Sequence, residues 1–230
     1  MNKKKSILAL LLLVPAPSIG VLSAMVWFPN SWMGMMLFAL SKLWLFGFPV
    51  IWHRVVEHGS LSFSPARKGG FAMGVLSGML ISAAIVLAYV TLGPRMIDRS
   101  FLVRKMADIG LAPASTYASL AVYWIVINSV LEEYVWRWFV FRQCETVFKP
   151  AVAIGCAALF FTLHHFAALR VYCGLPAAVI CSMGVFSGGA LWSFMYRRYQ
   201  SIWPGYLSHA IVDLCVFLVG AVMIFGGRAP

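Results

Sequence analysis

The chain has 230 residues, of which 62% are hydrophobic and 11% charged, with a mean hydropathy of +0.87. That balance excludes an ordinary soluble domain, where roughly a quarter of residues are charged, and indicates an integral membrane protein in contact with the lipid bilayer. The net charge of +11 does not point to nucleic acid, because Lys and Arg cluster between apolar runs rather than along one face. No nucleic-acid partner is expected, and the charge reads as topology signal and headgroup contact.

Lys3-Lys4-Lys5 leads into an apolar run that continues from Ile7 through Pro15 and Pro17 to about residue 28. The charged start has the form of a signal peptide, with Ala24 as the cleavage position. The length of the run, and Leu22 two places before that position, favour an uncleaved first helix. Spans follow at 31–52 and 71–93, joined by a polar link carrying His53, Arg54, Arg67 and Lys68. Lys42 falls inside the second span, where snorkelling or a hydrogen-bonded neutral amine would accommodate it. Residues 94–115 interleave Arg95, Arg99, Arg104 and Lys105 with Ile97, Phe101 and Leu102, the pattern of either a short amphipathic helix in the interface or a plain loop.

Four more spans, at 117–141, 150–169, 174–195 and 203–225, complete an all-α fold, a polytopic transmembrane helical bundle of about seven spans. Residues 1–230 read as a single integral membrane domain, with N-terminal helices and the interfacial segment in 1–116. Alternate loops hold eleven and six Lys and Arg residues, which predicts a cytoplasmic N-terminus. The five cysteines are scattered, without a CxxC pair, and read as small apolar packers rather than as a disulfide framework or a zinc site. Trp27, Trp32, Trp44 and Trp52 suit an interfacial aromatic belt.

The stretch Leu131-Glu132-Glu133-Tyr134-Val135-Trp136-Arg137 puts two carboxylates and a guanidinium inside an apolar run. Each charge costs about 2.5–3.5 kcal/mol on insertion scales, so idle residues are not expected there. If 117–141 is one helix, Glu133 and Arg137 share a face and can pair, leaving Glu132 about 100° away and free. The span at 150–169 carries Phe160, Phe161, His164 and His165, and the last span carries His209 and Asp213 on one face. At 1.5 Å per residue, Glu132, His209 and Asp213 lie roughly 13, 9 and 15 Å from the inner ends of their spans, whereas His165 lies roughly 22 Å away. Together these groups read as a functional polar site.

Glu132-Glu133 with Arg137 fits EExxxR, Phe161 with His165 fits FxxxH, and His209 with Asp213 fits HxxxD, in that order and on separate helices. The pattern resembles the CPBP family of intramembrane proteases, related to the Ras-converting CAAX endopeptidase and to bacteriocin-processing proteins, and makes 117–226 a CPBP-like catalytic core. His164 also fits FxxxH, through Phe160; the apolar residue after His165 favours the latter. Asp213 stands where the CAAX endopeptidase branch typically has Asn, which suggests a bacterial relative in the inner (plasma) membrane.

The resemblance implies that Glu132 activates a water with help from His165. By the same resemblance Glu133 paired to Arg137 holds local geometry, His209 donates to the oxyanion, and Asp213 orients His209 or adds a polar contact. The substrate would be a membrane-anchored protein or peptide, and no cofactor is expected. Glu, His and Asp could also ligate zinc, but no HExxH is present. Other readings are a non-catalytic scaffold or immunity protein that keeps the fold, and a proton-coupled transporter.

Overall fold

The computed structural model describes residues 2–227. They form eight helices: α1 (Lys3–Trp27), α2 (Trp32–Val55), α3 (Phe71–Met96), α4 (Arg99–Asp108), α5 (Ala114–Val147), α6 (Pro150–Tyr172), α7 (Leu175–Tyr199) and α8 (Trp203–Phe225). All except α4 are long and apolar enough to cross a membrane, which gives the seven expected spans. Arg228, counted above among the outer cations, lies outside the described residues.

Helix α1 continues past Pro15 and Pro17 to Trp27, with a turn at Val14 and a π-helical last stretch at Ser23–Trp27. Near the prolines, where the ladder of backbone bonds loses donors, the Trp44 indole donates to the Leu12 carbonyl at 3.0 Å. Trp52 is buried in the core, so of the four early tryptophans Trp27, Trp32 and Trp44 are exposed, Trp44 while tied to α1. The interfacial segment forms α4, with Asp98 capping its first turn through Phe101 N at 2.9 Å. Arg99 Nε then donates to Met223 O at 2.6 Å, fixing α4 to the last turn of α8.

Small residues set the closest helix pair. Gly74, Ser77 and Gly78 line one face of α3 and pack against α8 in parallel. A Cβ on Gly74 would fall 2.5 Å from Pro204 O, and one on Gly78 would fall 2.9 Å from Ile211 Cβ. Ser77 Oγ and Ser208 Oγ are 3.0 Å apart across this seam. Such stripes let backbones approach closely where lipid supplies no hydrophobic drive. Helices α6 and α7 form a second close pair, with Gly189 against Ala158.

Helix α5 passes through the middle of the bundle, and every residue from Val135 to Phe141 is buried. It differs from the single regular helix expected at 117–141. It starts earlier, ends later, and contains two π-helical stretches, Tyr123–Asn128 and Tyr134–Phe141, on either side of an α-helical turn at Ser129–Glu133. Both glutamates therefore sit between two local widenings of the helix, a form common at functional sites.

The polar link between α2 and α3 is tied down at the end of the bundle that holds the start of α8. Ser201 Oγ donates to Ser64 O at 2.7 Å, Ile202 N donates to Ser64 Oγ at 3.0 Å, and Trp203 Nε1 donates to Phe63 O at 3.0 Å. These bonds lay the link over the start of α8. Beside it, Glu57 accepts from His53 Nδ1 at 2.7 Å and from Gln143 Nε2 at 2.6 Å. Burial alone would raise the Glu57 pKa, but these hydrogen bonds and the charge of Arg142 hold the carboxyl below its ordinary value. A carboxyl more acidic when folded adds stability above its unfolded pKa, and that stability is lost as pH falls through the folded value. Glu57→Gln should therefore lower the melting temperature at pH 7, and the gap to wild type should close progressively below about pH 4.5. Thermal melts in detergent at pH 7 and pH 4 measure this directly.

Candidate active site

Three helices meet at one buried polar cluster. From α5 come Glu132 and Glu133, 4% and 0% exposed, together with fully buried Arg137; from α6 come His164 and His165; from α8 come His209 and Asp213. All six residues expected from sequence are thus brought together.

The depth mismatch between Glu132 and His165 has a structural reason. Helix α5 continues past Phe141 to Val147, which places Glu132 about 22 Å from the C-terminal end of α5, as far as His165 lies from the start of α6. His209 meets them from the second turn of α8, 3.1 Å from Glu133 Oε1 and 3.8 Å from Glu132 Oε2.

Glu133 is the structural centre of the cluster. Its Oε1 lies 3.4 Å from Arg137 Nε and 3.1 Å from His209 Nδ1. An ionised carboxylate only accepts, so His209 carries its proton on Nδ1 and turns Nε2 toward the other carboxylates. That nitrogen is 3.8 Å from Glu132 Oε2 and 3.7 Å from Asp213 Oδ1. Glu133, rather than Asp213, therefore orients the His209 ring. Asp213 is held separately, its Oδ2 accepting from Ser129 Oγ at 2.6 Å.

Aromatic rings wall the site. Trp192 stacks on His209, with centroids 4.0 Å apart and planes 18° apart. Its indole N–H donates to Ser208 Oγ at 3.0 Å. The Phe161 ring touches His165 at 4.4 Å and His209 at 6.0 Å, and the Arg137 guanidinium lies 4.8 Å from its centroid. Such contacts compensate part of the cost of burying the cation.

His165 Nδ1 donates to Phe161 O at 2.9 Å, which leaves the Nε2 lone pair of a neutral ring free to accept. His164 instead stacks on Trp136, 5.3 Å between centroids and 9° between planes. One ligand-type atom from each of Glu132, His164 and His165 lies within 4.8 Å of the others, so these are the residues that could hold a metal ion.

Several neighbours were not singled out by sequence reasoning. Ser129 holds Asp213, Ser208 and Trp192 set the pad under His209, and buried Asn128 stands one turn before Glu132. The signal for Asn128 and Ser129 was present, since polar residues three or four positions before Glu132 share its face.

Gly205 is required by packing. A Cβ there would fall 2.5 Å from Glu133 Oε2. Gly205→Ala should push Glu133 away from His209 and cost about 1–3 kcal/mol through overpacking, read as a lower melting temperature accompanied by weaker turnover.

The family comparison covers this part of the chain. Residues 114–215 match the family model described as type II CAAX prenyl endopeptidase, Rce1-like. The chain carries an Rce1-like domain. It spans α5, α6, α7 and the first half of α8, and contains every residue of the cluster. No curated protein and no solved structure matches the chain. The Rce1-like domain implies CAAX-type protease activity in a multi-pass membrane protein, with the bilayer and a protein substrate as its surroundings.

Proposed function

We propose that the protein is a glutamate-dependent intramembrane endopeptidase of a bacterial inner membrane, with a cytoplasmic N-terminus, that cleaves a membrane-anchored protein or peptide. The observation that carries this reading is the convergence of Glu132, His165 and His209 in one buried cluster, with a separate carboxylate, Glu133, reserved for orientation.

Glu132 is the general base. It takes a proton from a water that also donates to His165 Nε2, and the water oxygen attacks the scissile carbonyl. His209 stabilises the oxyanion. Because Nδ1 donates to Glu133, Nε2 can donate only as an imidazolium, whose charge Glu132, Glu133 and Asp213 balance. The proton gained by Glu132 then passes to the leaving amine. Arg137 holds Glu133, and Ser129 holds Asp213.

The test compares wild type with Glu132→Gln and His165→Ala in host membranes, reading the protein termini. Termini that vanish in both variants support the protease and name its substrates. Unchanged termini in folded variants would overturn it in favour of a scaffold or immunity protein. A second reading rests on the proximity of Glu132, His164 and His165, which suits zinc. Purified protein dialysed against a strong chelator should keep its turnover; loss that added zinc restores would replace the glutamate mechanism with a metal one.

A further inference from the structure

A cavity of about 340 Å³ lies at the end of the bundle that holds the start of α8, away from the catalytic cluster. It is lined by Ser62, Arg67 and Lys68 from the α2–α3 link, by Tyr196 and Tyr199 from the last turn of α7, and by Trp138 from α5. The lining offers a guanidinium, an ammonium and hydroxyls, and contains no carboxylate.

The acids of this end are already engaged. Glu57 is bonded to His53 and Gln143, and Glu145 pairs with Arg197 at 3.1 Å. Among the described residues neither Arg67 nor Lys68 has a carboxylate within ion-pair distance. A cleft with two such cations and low-dielectric walls attracts an anion.

The cavity is built rather than incidental. Ser64 holds a left-handed backbone, φ 52°, and is pinned by Ser201 and Ile202. Gly70, φ +99°, lies flat on the Tyr199 ring, where a Cβ would come within 2.7 Å. Trp138 and Tyr196 are buried, and Trp138 stacks on Tyr134 with centroids 4.7 Å apart. The positive-inside pattern accounts for Arg67 and Lys68 lying in this loop. It does not account for a fixed aromatic floor beneath them.

We propose that this cavity binds a phosphate group presented by an anionic lipid headgroup. The two cations and the hydroxyls take the phosphate oxygens, and the Trp and Tyr walls take the glycerol portion, at the level where the helices leave the bilayer. Trp138 follows Arg137 directly in sequence, so an occupied cavity braces the turn of α5 that carries the catalytic cluster's cation.

The test is native mass spectrometry of the full-length protein in detergent, titrated with phosphatidylglycerol or phosphatidylcholine. Wild type should retain one phosphatidylglycerol at least ten times more tightly than phosphatidylcholine. The double variant Arg67→Gln/Lys68→Gln should lose about tenfold or more of that affinity while keeping its fold and melting behaviour. Arg95→Gln/Arg104→Gln, which removes two exposed cations from the opposite end, should change nothing. Equal retention of both lipids would overturn the proposal, and so would equal loss in the two double variants. Inorganic phosphate at millimolar concentration should not displace the lipid; full displacement would overturn the lipid as the source of the phosphate.

Discussion

Arg137→Met is expected to destabilise the protein by about 3–5 kcal/mol, because it leaves the Glu133 carboxylate buried without its cation. Both side chains of the pair are fully buried, 3.4 Å apart. Methionine keeps much of the volume packed against Phe161 and Trp192, so the loss reports charge rather than a cavity. His209 is the remaining partner of Glu133, at 3.1 Å, and one partially shared proton cannot replace a guanidinium that is always charged. The double variant Arg137→Met/Glu133→Gln should recover a large part of the loss, since neither buried charge then remains. Thermal unfolding in detergent measures both. If the single variant melts like wild type, Glu133 does not depend on Arg137 and its role as the fixed point of the site is wrong.

Glu132→Gln should leave melting nearly unchanged and lower turnover by about 10²–10⁴, the usual contribution of a general base. Unlike Glu133, Glu132 has no arginine partner. Its nearest cationic contact is His209 Nε2 at 3.8 Å, so the neutral amide removes no tight pair. The opposite contrast is expected at position 133, where Glu133→Gln should damage stability and turnover together by freeing the His209 ring. Turnover by purified wild type and variants on a substrate named by the terminus comparison separates these outcomes. Near-wild-type turnover in Glu132→Gln would remove it as the base.

The seven spans and the membership of the cluster were legible because both rest on cost. Twenty apolar residues have few other stable states, and charges within them need a partner or a task. What stayed hidden depends on contact between segments distant in sequence. Spacing showed that Glu133 could meet Arg137, but only the approach of α8 shows that Glu133 also orients His209. The depth of His165 looked inconsistent because apolarity marks where a helix enters lipid, not where it ends, and α5 runs on through Arg142 and Glu145. The anchoring of the α2–α3 link over α8 was equally hidden, since Ser62 and Ser64 carry no sequence signal beyond that of a loop.

The two π-helical stretches of α5 make the length of this helix as consequential as its composition. Each accommodates backbone that a regular α-helix would place elsewhere, and Ser129–Glu133 hangs between them. Deleting one residue within Tyr123–Asn128 would let that stretch relax to α-helical spacing with its flanks kept in register, whereas deleting Val130 from the regular turn would rotate the glutamates about 100° relative to the outer half of the helix. Such a deletion would be lethal to the site even though every named side chain survives. Length is therefore constrained in the regular turn of this helix as it is in the α2–α3 link, which Ser201 and Ile202 pin at Ser64.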